Sequence, residues 1–211
     1  MKGILKTGVC SILFFALIAS HSARAQMALG GSETNAPNLL EDNFRSGRFE
    51  ATLAAGPLFS PVGSQNRPVL NYAIGAFQLG YMLTEPGHGG FFRGNFEFVP
   101  EAFGAGITKG KGNYIAGTTL WGRYNFIQRG WHVTPYAQLG AGFEFTDLDR
   151  SMLGQSFNFN LDAAGGLRYF IARRCSLNLE YRFQHFSNAG LSRKNVGVNA
   201  QGPVLGVSWF F

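Results

Sequence analysis

Apolar and polar residues alternate along most of this chain, in segments of about 10 to 16 residues separated by Gly, Pro, Asn and Asp. The clearest segment is Trp131 to Phe145, in which every odd-numbered residue is apolar. Because successive side chains of a strand point to opposite faces, one face of this segment is apolar from end to end. Seven further segments follow the pattern less regularly: 48–59, 68–82, 92–101, 113–127, 157–171, 175–187 and 198–211. The alternation therefore predicts an all-β protein with eight strands.

The length of the segments separates two all-β architectures. A soluble sandwich also alternates, but its strands are usually only about 5 to 6 residues long. Strands of roughly 9 to 11 residues or more match the tilted path across a bilayer, and a closed barrel leaves lipid no unpaired sheet edge. The chain is 15% aromatic and only 14% charged, which favours strands that face lipid. We therefore predict an eight-stranded antiparallel transmembrane β-barrel of the bacterial outer membrane, formed by residues 47–211.

The first 25 residues have the features of a secretory signal peptide. Two lysines precede an apolar run at residues 9–19, and Ala23-Arg24-Ala25 fits a cleavage site. A retained membrane anchor is the alternative, but a spanning helix needs roughly 20 apolar residues. Residues 26–46 lack alternation, and we expect them to form a periplasmic N-terminal extension or a short plug.

The linkers between the segments predict the orientation of the barrel. With eight strands both termini lie in the periplasm, and long extracellular loops alternate with short periplasmic turns. The predicted long loops are 60–67, 104–112, 146–155 and 188–197, whereas 128–130 and 172–174 are short. The seventh strand therefore runs outward, and its end lies level with the outer leaflet.

The polar faces of the strands carry charges that need a polar environment. An eight-stranded barrel is too narrow for a pore, and side chains fill its interior. We predict an interior network with a structural role, formed by Arg93, Glu97, Glu101, Arg123, Glu144, Asp162, Arg168, Glu180 and Arg182.

The charge and the cysteine content exclude several functional classes. The net charge of +6 falls to +3 when the three basic residues of the signal are removed, which is too small an excess to indicate nucleic acid binding. The sequence has no Cys or His cluster with the spacing of metal ligands. No metal and no cofactor are therefore expected.

The apolar face of the seventh segment ends in a histidine and a serine, and polar residues at this position need an explanation. His185 and Ser187 continue the face of Leu177, Leu179, Tyr181 and Phe183, so both side chains project the same way. A serine beside a base is the arrangement of a nucleophile. Asn188 and Gly190 follow, offering a side-chain amide and a backbone N–H for an oxyanion. The alternative is an interfacial histidine followed by a serine that begins a loop, but an ionisable side chain turned toward lipid is by default a functional hypothesis.

The stretch HFSNAGL at 185–191, followed by KNVGVN at 194–199, resembles the lipid A 3-O-deacylases, the PagL family. The similar features are the H-x-S-N-A-G-L segment and the downstream N-x-G element, so the resemblance is specific over the last two strands and architectural elsewhere. It implies that Ser187 is the nucleophile, that His185 is the base and that Asn188 belongs to the oxyanion hole. The terminal Trp209-Phe210-Phe211 resembles the assembly signal of outer-membrane barrels, which implies the barrel-assembly machinery as a partner during insertion.

The chain departs from the family at one position. The family places a glutamate fourteen residues after the histidine to orient it, and here that position is Asn199. Side chains alternate between the two faces of the eighth segment, and this alternation puts Asn199 on the same lipid-facing side as His185. An amide oxygen can still accept the imidazole N–H. We therefore expect Asn199 to complete a triad whose activity is reduced or lost.

Together with these residues, the resemblance implies an outer-membrane serine esterase that removes an ester-linked acyl chain from lipid A or a related outer-leaflet lipid. Its partner is lipopolysaccharide in the outer leaflet, and Arg193 and Lys194 are predicted to hold the anionic head group. Other basic loop residues with this expected role are Arg67, Lys109, Lys111 and Arg150. Because the triad is incomplete, the alternative is a non-catalytic outer-membrane barrel for adhesion, membrane integrity or small-molecule passage.

Overall fold

Eight antiparallel strands close into a barrel in this computed structural model, which describes residues 40–61, 69–87 and 89–211. Each strand pairs with its neighbours in the chain, and the first strand pairs with the last. The strands are β1 (Phe49–Leu58), β2 (Asn71–Met82), β3 (Gly94–Lys109), β4 (Tyr114–Phe126), β5 (Val133–Thr146), β6 (Phe157–Ala172), β7 (Cys175–Ser187) and β8 (Val198–Phe210). The predicted fold class is thereby confirmed.

The wall of the barrel has an apolar outside and a polar inside. Leu139 and Leu205 on the outside are 72% and 65% exposed, whereas Arg168 and Arg182 on the inside are fully buried. This is the reverse of a soluble protein, and it is the distribution expected of a barrel whose outer face meets lipid. No helix within the described residues is long and apolar enough to cross a membrane.

The interior is held together by paired charges. Arg168 donates from Nη2 to both carboxylate oxygens of Glu50, at 2.9 and 2.7 Å. Arg182 makes a two-pronged contact with Glu101, at 2.9 Å for each bond. Such paired hydrogen bonds fix the geometry as well as the charge balance. The residues predicted to lie inside are buried there except Arg93, because that side chain reaches the barrel end and pairs with Glu41 at 2.9 Å.

The chain just before β1 covers the end of the barrel at which β1 begins and β8 ends. A 3-10 helix, Glu41–Phe44, places Phe44 inside, where its ring packs edge-on against Phe170 and Phe210. The side-chain amide of Asn43 donates to Arg173 O at 2.8 Å. Residues 41–44 thus pack against this end of the barrel, while the predicted signal peptide, its cleavage site and residues 26–39 lie outside the described residues. That residues 26–46 form a periplasmic extension or plug stays a prediction.

One predicted boundary is wrong. The loop predicted at 104–112 is mostly strand, because β3 continues to Lys109 and the connection to β4 is only 110–113. Gly104 and Gly106 occupy lipid-facing positions there, so the outer face lacks the apolar side chains that make alternation visible. The turn itself uses Gly110 and Gly112 at φ values of +127° and +146°, which favour glycine.

Candidate active site

The last two strands bring the predicted histidine and asparagine together. His185 on β7 and Asn199 on β8 are directly opposite each other in the antiparallel register. Both are half-buried and lie on the outer face, near the end of the barrel that carries the long loops. Directly opposed residues on one face of a sheet are close enough for their side chains to interact. Two residues that are fourteen positions apart in sequence are therefore neighbours on the outer surface.

A short hydrogen bond joins these two side chains. His185 Nδ1 and Asn199 Oδ1 are 2.6 Å apart. Because an amide oxygen only accepts, the proton of this bond belongs to the imidazole Nδ1. In the neutral ring Nε2 is then the free acceptor, which is the tautomer that a general base needs.

Ser187 lies on the same face, two residues beyond His185. Its side chain is half-buried, and on the described part of the chain no hydrogen bond joins it to the histidine. Bonds between a nucleophile and its base are often long before substrate binds. Gly197 borders the pair, since a Cβ added there would lie 3.2 Å from His185 Cε1 and 3.8 Å from Ser187 Cβ. A side chain at this position would crowd both residues.

Asn188 has a different environment from the one predicted. Its side chain is fully buried, and its amide nitrogen donates to the backbone carbonyls of Leu153 and Lys194. Its side-chain oxygen accepts the N–H of Gly190 at 2.9 Å. Both predicted oxyanion donors are therefore engaged within the loops, and their catalytic role stays a prediction.

Ala189, between these two residues, has a backbone conformation that the sequence did not reveal. Its φ of +51° is the one positive value for a non-glycine residue among those the structure describes. Residues held in sparsely populated conformations cluster at active sites. Its N–H donates to no protein group in the described regions, so it is available to an oxyanion.

The basic loop residues differ in their surroundings. Arg193 and Lys194 are exposed in the loop between β7 and β8, whereas Arg67 lies outside the described residues. Lys111 lies 3.6 Å from the carboxylate of Asp149. That carboxylate also accepts the N–H of Ser151, which lowers the pKa of Asp149 from its ordinary value. Lys111 is therefore already paired, while Arg193 and Lys194 face outward.

The chemical groups at the site are those of its side chains and backbone. No group of three or more His, Cys, Asp or Glu residues in the described part of the chain is placed to hold a metal ion. What the site offers is a hydroxyl, an imidazole with one free nitrogen, and nearby backbone donors. This set matches nucleophilic catalysis of acyl transfer.

Comparisons with known proteins agree with the fold and identify a family. Residues 99–208 match the family described as lipid A 3-O-deacylase (PagL). The crystal structure of the outer membrane enzyme PagL is similar at 19% identity and a TM-score of 0.53, covering 76% of this chain and 98% of that one. The crystal structure of Neisserial surface protein A is similar at 17% identity and a TM-score of 0.55, covering 79% and 98%.

At these identities the two structures show the fold alone. A search of curated proteins gave no match. The family match covers more than half of the 211 residues, from β3 into β8, and includes the segment HFSNAGL. The chain therefore belongs to the lipid A 3-O-deacylase (PagL) family and is an outer-membrane β-barrel.

Proposed function

We propose that this barrel is a serine esterase that removes an ester-linked acyl chain from lipid A. The observation that carries the proposal is the 2.6 Å contact between His185 Nδ1 and Asn199 Oδ1 on the lipid-facing wall. A polar pair turned toward lipid has no evident structural purpose and is costly there. It has a purpose if the ester to be cleaved lies in the outer leaflet, beside the same wall.

The proposed reaction uses Ser187 as the nucleophile and His185 as the base. His185 Nε2 accepts the proton of Ser187 Oγ while that oxygen attacks the ester carbonyl carbon. The protonated histidine then gives its proton to the alkoxide oxygen that leaves, which frees the deacylated lipid. A water molecule, deprotonated by the same nitrogen, attacks the acyl-enzyme and releases the fatty acid and Ser187. No cofactor takes part in these steps.

Backbone donors next to the nucleophile would stabilise the oxyanion. The N–H of Ala189, two residues after Ser187, has no hydrogen-bond partner among the described residues and is one such candidate donor. Asn188 and Gly190 remain candidates, and each would have to exchange a loop hydrogen bond for one to the substrate. Removing one such donor costs about 10² to 10³ in kcat in a serine protease.

Exposed basic residues beside the site suit a phosphorylated head group. Arg193 and Lys194 lie six and seven residues after Ser187, in the loop that follows it. Attraction to an anionic membrane surface amounts to about 1 kcal/mol for each basic residue and weakens with salt. Replacing both residues by glutamine should raise KM for lipid A at low salt without changing kcat. An unchanged KM would remove this role.

Substitution of the two reacting residues tests the proposal. Ser187→Ala and His185→Ala should each abolish release of fatty acid from lipid A, while the barrel still folds. His132→Ala is the matched control, because this histidine lies in the connection between β4 and β5, at the opposite end of the barrel. Equal activity of Ser187→Ala and the wild type would refute the proposal.

A non-catalytic barrel is the second candidate. The observation that favours it is the amide at Asn199, which cannot balance the charge of a protonated His185 as a carboxylate does. Such a barrel would serve adhesion, membrane integrity or small-molecule passage. The same experiment separates the candidates, because a wild-type protein that releases no fatty acid would fit the second one.

A further inference from the structure

The interior of the barrel contains more negative than positive groups. Among the described residues, three guanidinium groups and six carboxylates are buried there: Arg123, Arg168, Arg182, Glu50, Glu97, Glu101, Glu144, Asp162 and Glu180. Each of the three arginines forms a salt bridge with one or more of the glutamates. Glu144 and Asp162 form no salt bridge within the described part of the chain. Buried charges are normally paired or bound to a metal ion, so these two carboxylates need an explanation.

The two carboxylates share one region of the inner wall with two asparagines. Glu144 of β5 is directly opposite Asn158 of β6, and Asn160 and Asp162 occupy the next two inward positions of β6. All four side chains are at most 4% exposed. Opposed side chains of a sheet are about 5 Å apart and diagonal ones about 7 to 8 Å apart. Glu144 is therefore within reach of both asparagines, and we call the four residues the oxygen cluster.

The oxygen cluster contains five buried oxygen atoms that accept no hydrogen bond from the described residues. They are both carboxylate oxygens of Glu144, the amide oxygens of Asn158 and Asn160, and Oδ1 of Asp162. A Cβ added at Gly142 of β5 would lie 2.8 Å from Asn160 Oδ1. This amide oxygen therefore points from β6 toward β5, the strand that carries Glu144.

The hydrogen bonds of the two amides determine which of their atoms is the oxygen. Asn158 Nδ2 donates to Ser156 O at 3.1 Å. Asn160 Nδ2 donates to Thr119 Oγ1 at 2.7 Å and to Asp162 Oδ2 at 3.2 Å. Turning either amide over would place its oxygen against a carbonyl or carboxylate oxygen, which only accepts. The atoms left without a donor are therefore the amide oxygens.

Acceptor oxygens without donors are the ligands of a hard cation. Ca²⁺ takes about 6 to 8 oxygen ligands from carboxylates and amide carbonyls, binds a carboxylate through both oxygens and tolerates irregular geometry. Mg²⁺ demands nearly octahedral geometry and gives up its water reluctantly. Two carboxylates balance the charge of one divalent ion. Water alone would satisfy the hydrogen bonding of these oxygens and leave both charges uncompensated.

We propose that the oxygen cluster binds one Ca²⁺ inside the barrel. Glu144 binds the ion through both carboxylate oxygens, Asn158 and Asn160 bind it through their amide oxygens, and water completes the shell. Asp162 lies one inward position farther along β6, where it supplies the second negative charge through a bound water. The spacing of Cys and His could not reveal this site, because all of its ligands are oxygens.

The position of the oxygen cluster gives the ion a structural role. Asn160 pairs across to Phe186 on β7, the residue between His185 and Ser187. The ion therefore stabilises the inner side of the wall whose outer side carries the candidate active site. This role does not depend on whether the barrel is an esterase.

Urea unfolding measures the effect of Ca²⁺ on the wild-type barrel. The protein is refolded in detergent without lipopolysaccharide, either in EGTA or in Ca²⁺, with the same NaCl in all buffers. Ca²⁺ at about 100 times its Kd should raise the ratio of folded to unfolded protein about 100-fold. Mg²⁺ at the same concentration should raise this ratio less. An unchanged urea midpoint in Ca²⁺, or a larger shift in Mg²⁺ than in Ca²⁺, would overturn the proposal.

Two substitutions should change the calcium response in opposite directions. Glu144→Gln removes one charge at constant size, so it should abolish most of the response, while in EGTA the variant should be at least as stable as the wild type. Asn158→Asp adds a carboxylate, so it should lower the urea midpoint in EGTA and enlarge the response to Ca²⁺. Asp147→Asn is the matched control, because this carboxylate is exposed in the loop between β5 and β6. Equal calcium responses of Glu144→Gln and the wild type, or loss of the response in Asp147→Asn, would overturn the proposal.

Radioactive calcium retained after gel filtration counts the bound ions. The wild type refolded in Ca²⁺ should retain one ion for each barrel, and Glu144→Gln should retain none. Ser187→Ala should retain one, because the ion takes no part in the proposed ester hydrolysis. Retention by Glu144→Gln equal to that of the wild type would overturn the proposal.

Discussion

At the scale of single residues, the proposed chemistry depends on an amide at the position where the resemblance to the family implies a carboxylate. Asn199 Oδ1 fixes the tautomer of His185 through one hydrogen bond. It carries no charge, so in the proposed mechanism it does not stabilise the imidazolium that forms when Ser187 is deprotonated. The proposed triad therefore has the orienting hydrogen bond but not the charge of a carboxylate.

Substitution at position 199 tests this account. Asn199→Glu should raise kcat by a factor of up to about 10⁴, since loss of the corresponding carboxylate costs about that much in a serine protease. Asn199→Ala should lower kcat because the ring loses the acceptor that orients it. Gln201→Glu, two residues away on the same face of β8, is the control for adding a carboxylate to this wall. Equal rates for all three variants and the wild type would contradict a role for Asn199.

The resemblance to the family indicated Asn199 as the partner of His185, and residue parity placed both on the same face. The period of two in each strand puts both on the outer face, and the topology makes β7 and β8 neighbours. The environment of Asn188 was not predictable in this way. Its partner Leu153 lies 35 residues earlier, in another loop, and loop-to-loop contacts leave no periodic trace in the sequence.

At the scale of elements, the site depends on two loops that are joined to each other. The helix α1, Arg150–Leu153, lies in the loop between β5 and β6. Asn188 donates to the carbonyl of Leu153, and Val196 N–H donates to the carbonyl of Met152 at 3.0 Å. The loop that begins after Ser187 is therefore held against a second loop.

Asn188→Ala distinguishes a role in joining the loops from a role in the oxyanion hole. Because the buried amide satisfies two carbonyls and one N–H, its loss should speed hydrogen exchange at Gly190 and Val196. If Asn188 serves the oxyanion instead, kcat should fall while exchange at these amides is unchanged. Hydrogen exchange measured beside esterase kinetics gives both readouts.

The carboxyl group of Asp147, at the start of the loop between β5 and β6, has a lowered pKa that predicts a response to pH. The N–H groups of Asn113 and Tyr114 donate to Asp147, which lowers the pKa of this exposed carboxyl below its ordinary value of 3.8. A group with a lowered folded-state pKa stabilises the fold above its unfolded pKa, and the effect is lost as pH falls through the folded pKa.

Acidification should therefore move the amide NMR signals of Asn113 and Tyr114 at a pH below 3.8. Asp147→Asn should remove the titration from both signals. A midpoint at or above 3.8 would contradict the assignment.

The strands themselves were mostly predictable, and β3 shows where prediction failed. Inward residues Phe103 and Ala105 continue the alternation of β3, but the lipid-facing partners are Gly104 and Gly106. Glycine residues at the end of an apparent strand are typical of loops, so composition alone predicts a loop here. Pairing with both neighbouring strands keeps these residues in the sheet.

At the scale of the whole molecule, the interior of the barrel contains buried glutamates in two kinds of environment. Glu50 is bound by Arg168 and Arg123. Glu144 is equally buried, yet neither of its carboxylate oxygens has a hydrogen-bond partner on the described part of the chain. A buried carboxylate without a hydrogen-bond partner lowers the free energy of unfolding. Removing one partner of a buried ion pair also lowers it, because the other charge stays buried and unpaired.

Neutralising the two glutamates should have different effects on the free energy of unfolding. Glu50→Gln should lower the free energy of unfolding by about 3 to 5 kcal/mol, because it leaves two guanidinium groups without their full counter-charge. Glu144→Gln should leave the free energy unchanged or raise it. Urea unfolding of both variants in detergent is the measurement, and a Glu144→Gln barrel as unstable as Glu50→Gln would contradict the distinction.

The central claim is that Ser187 cleaves an acyl ester of lipid A in the outer membrane. The most direct measurement is mass spectrometry of lipid A extracted from bacteria that carry the wild-type protein or Ser187→Ala in their outer membrane. The account predicts that wild type gives lipid A lighter by one acyl chain and that Ser187→Ala gives intact lipid A. Intact lipid A with both proteins, at equal amounts of folded barrel, would contradict it.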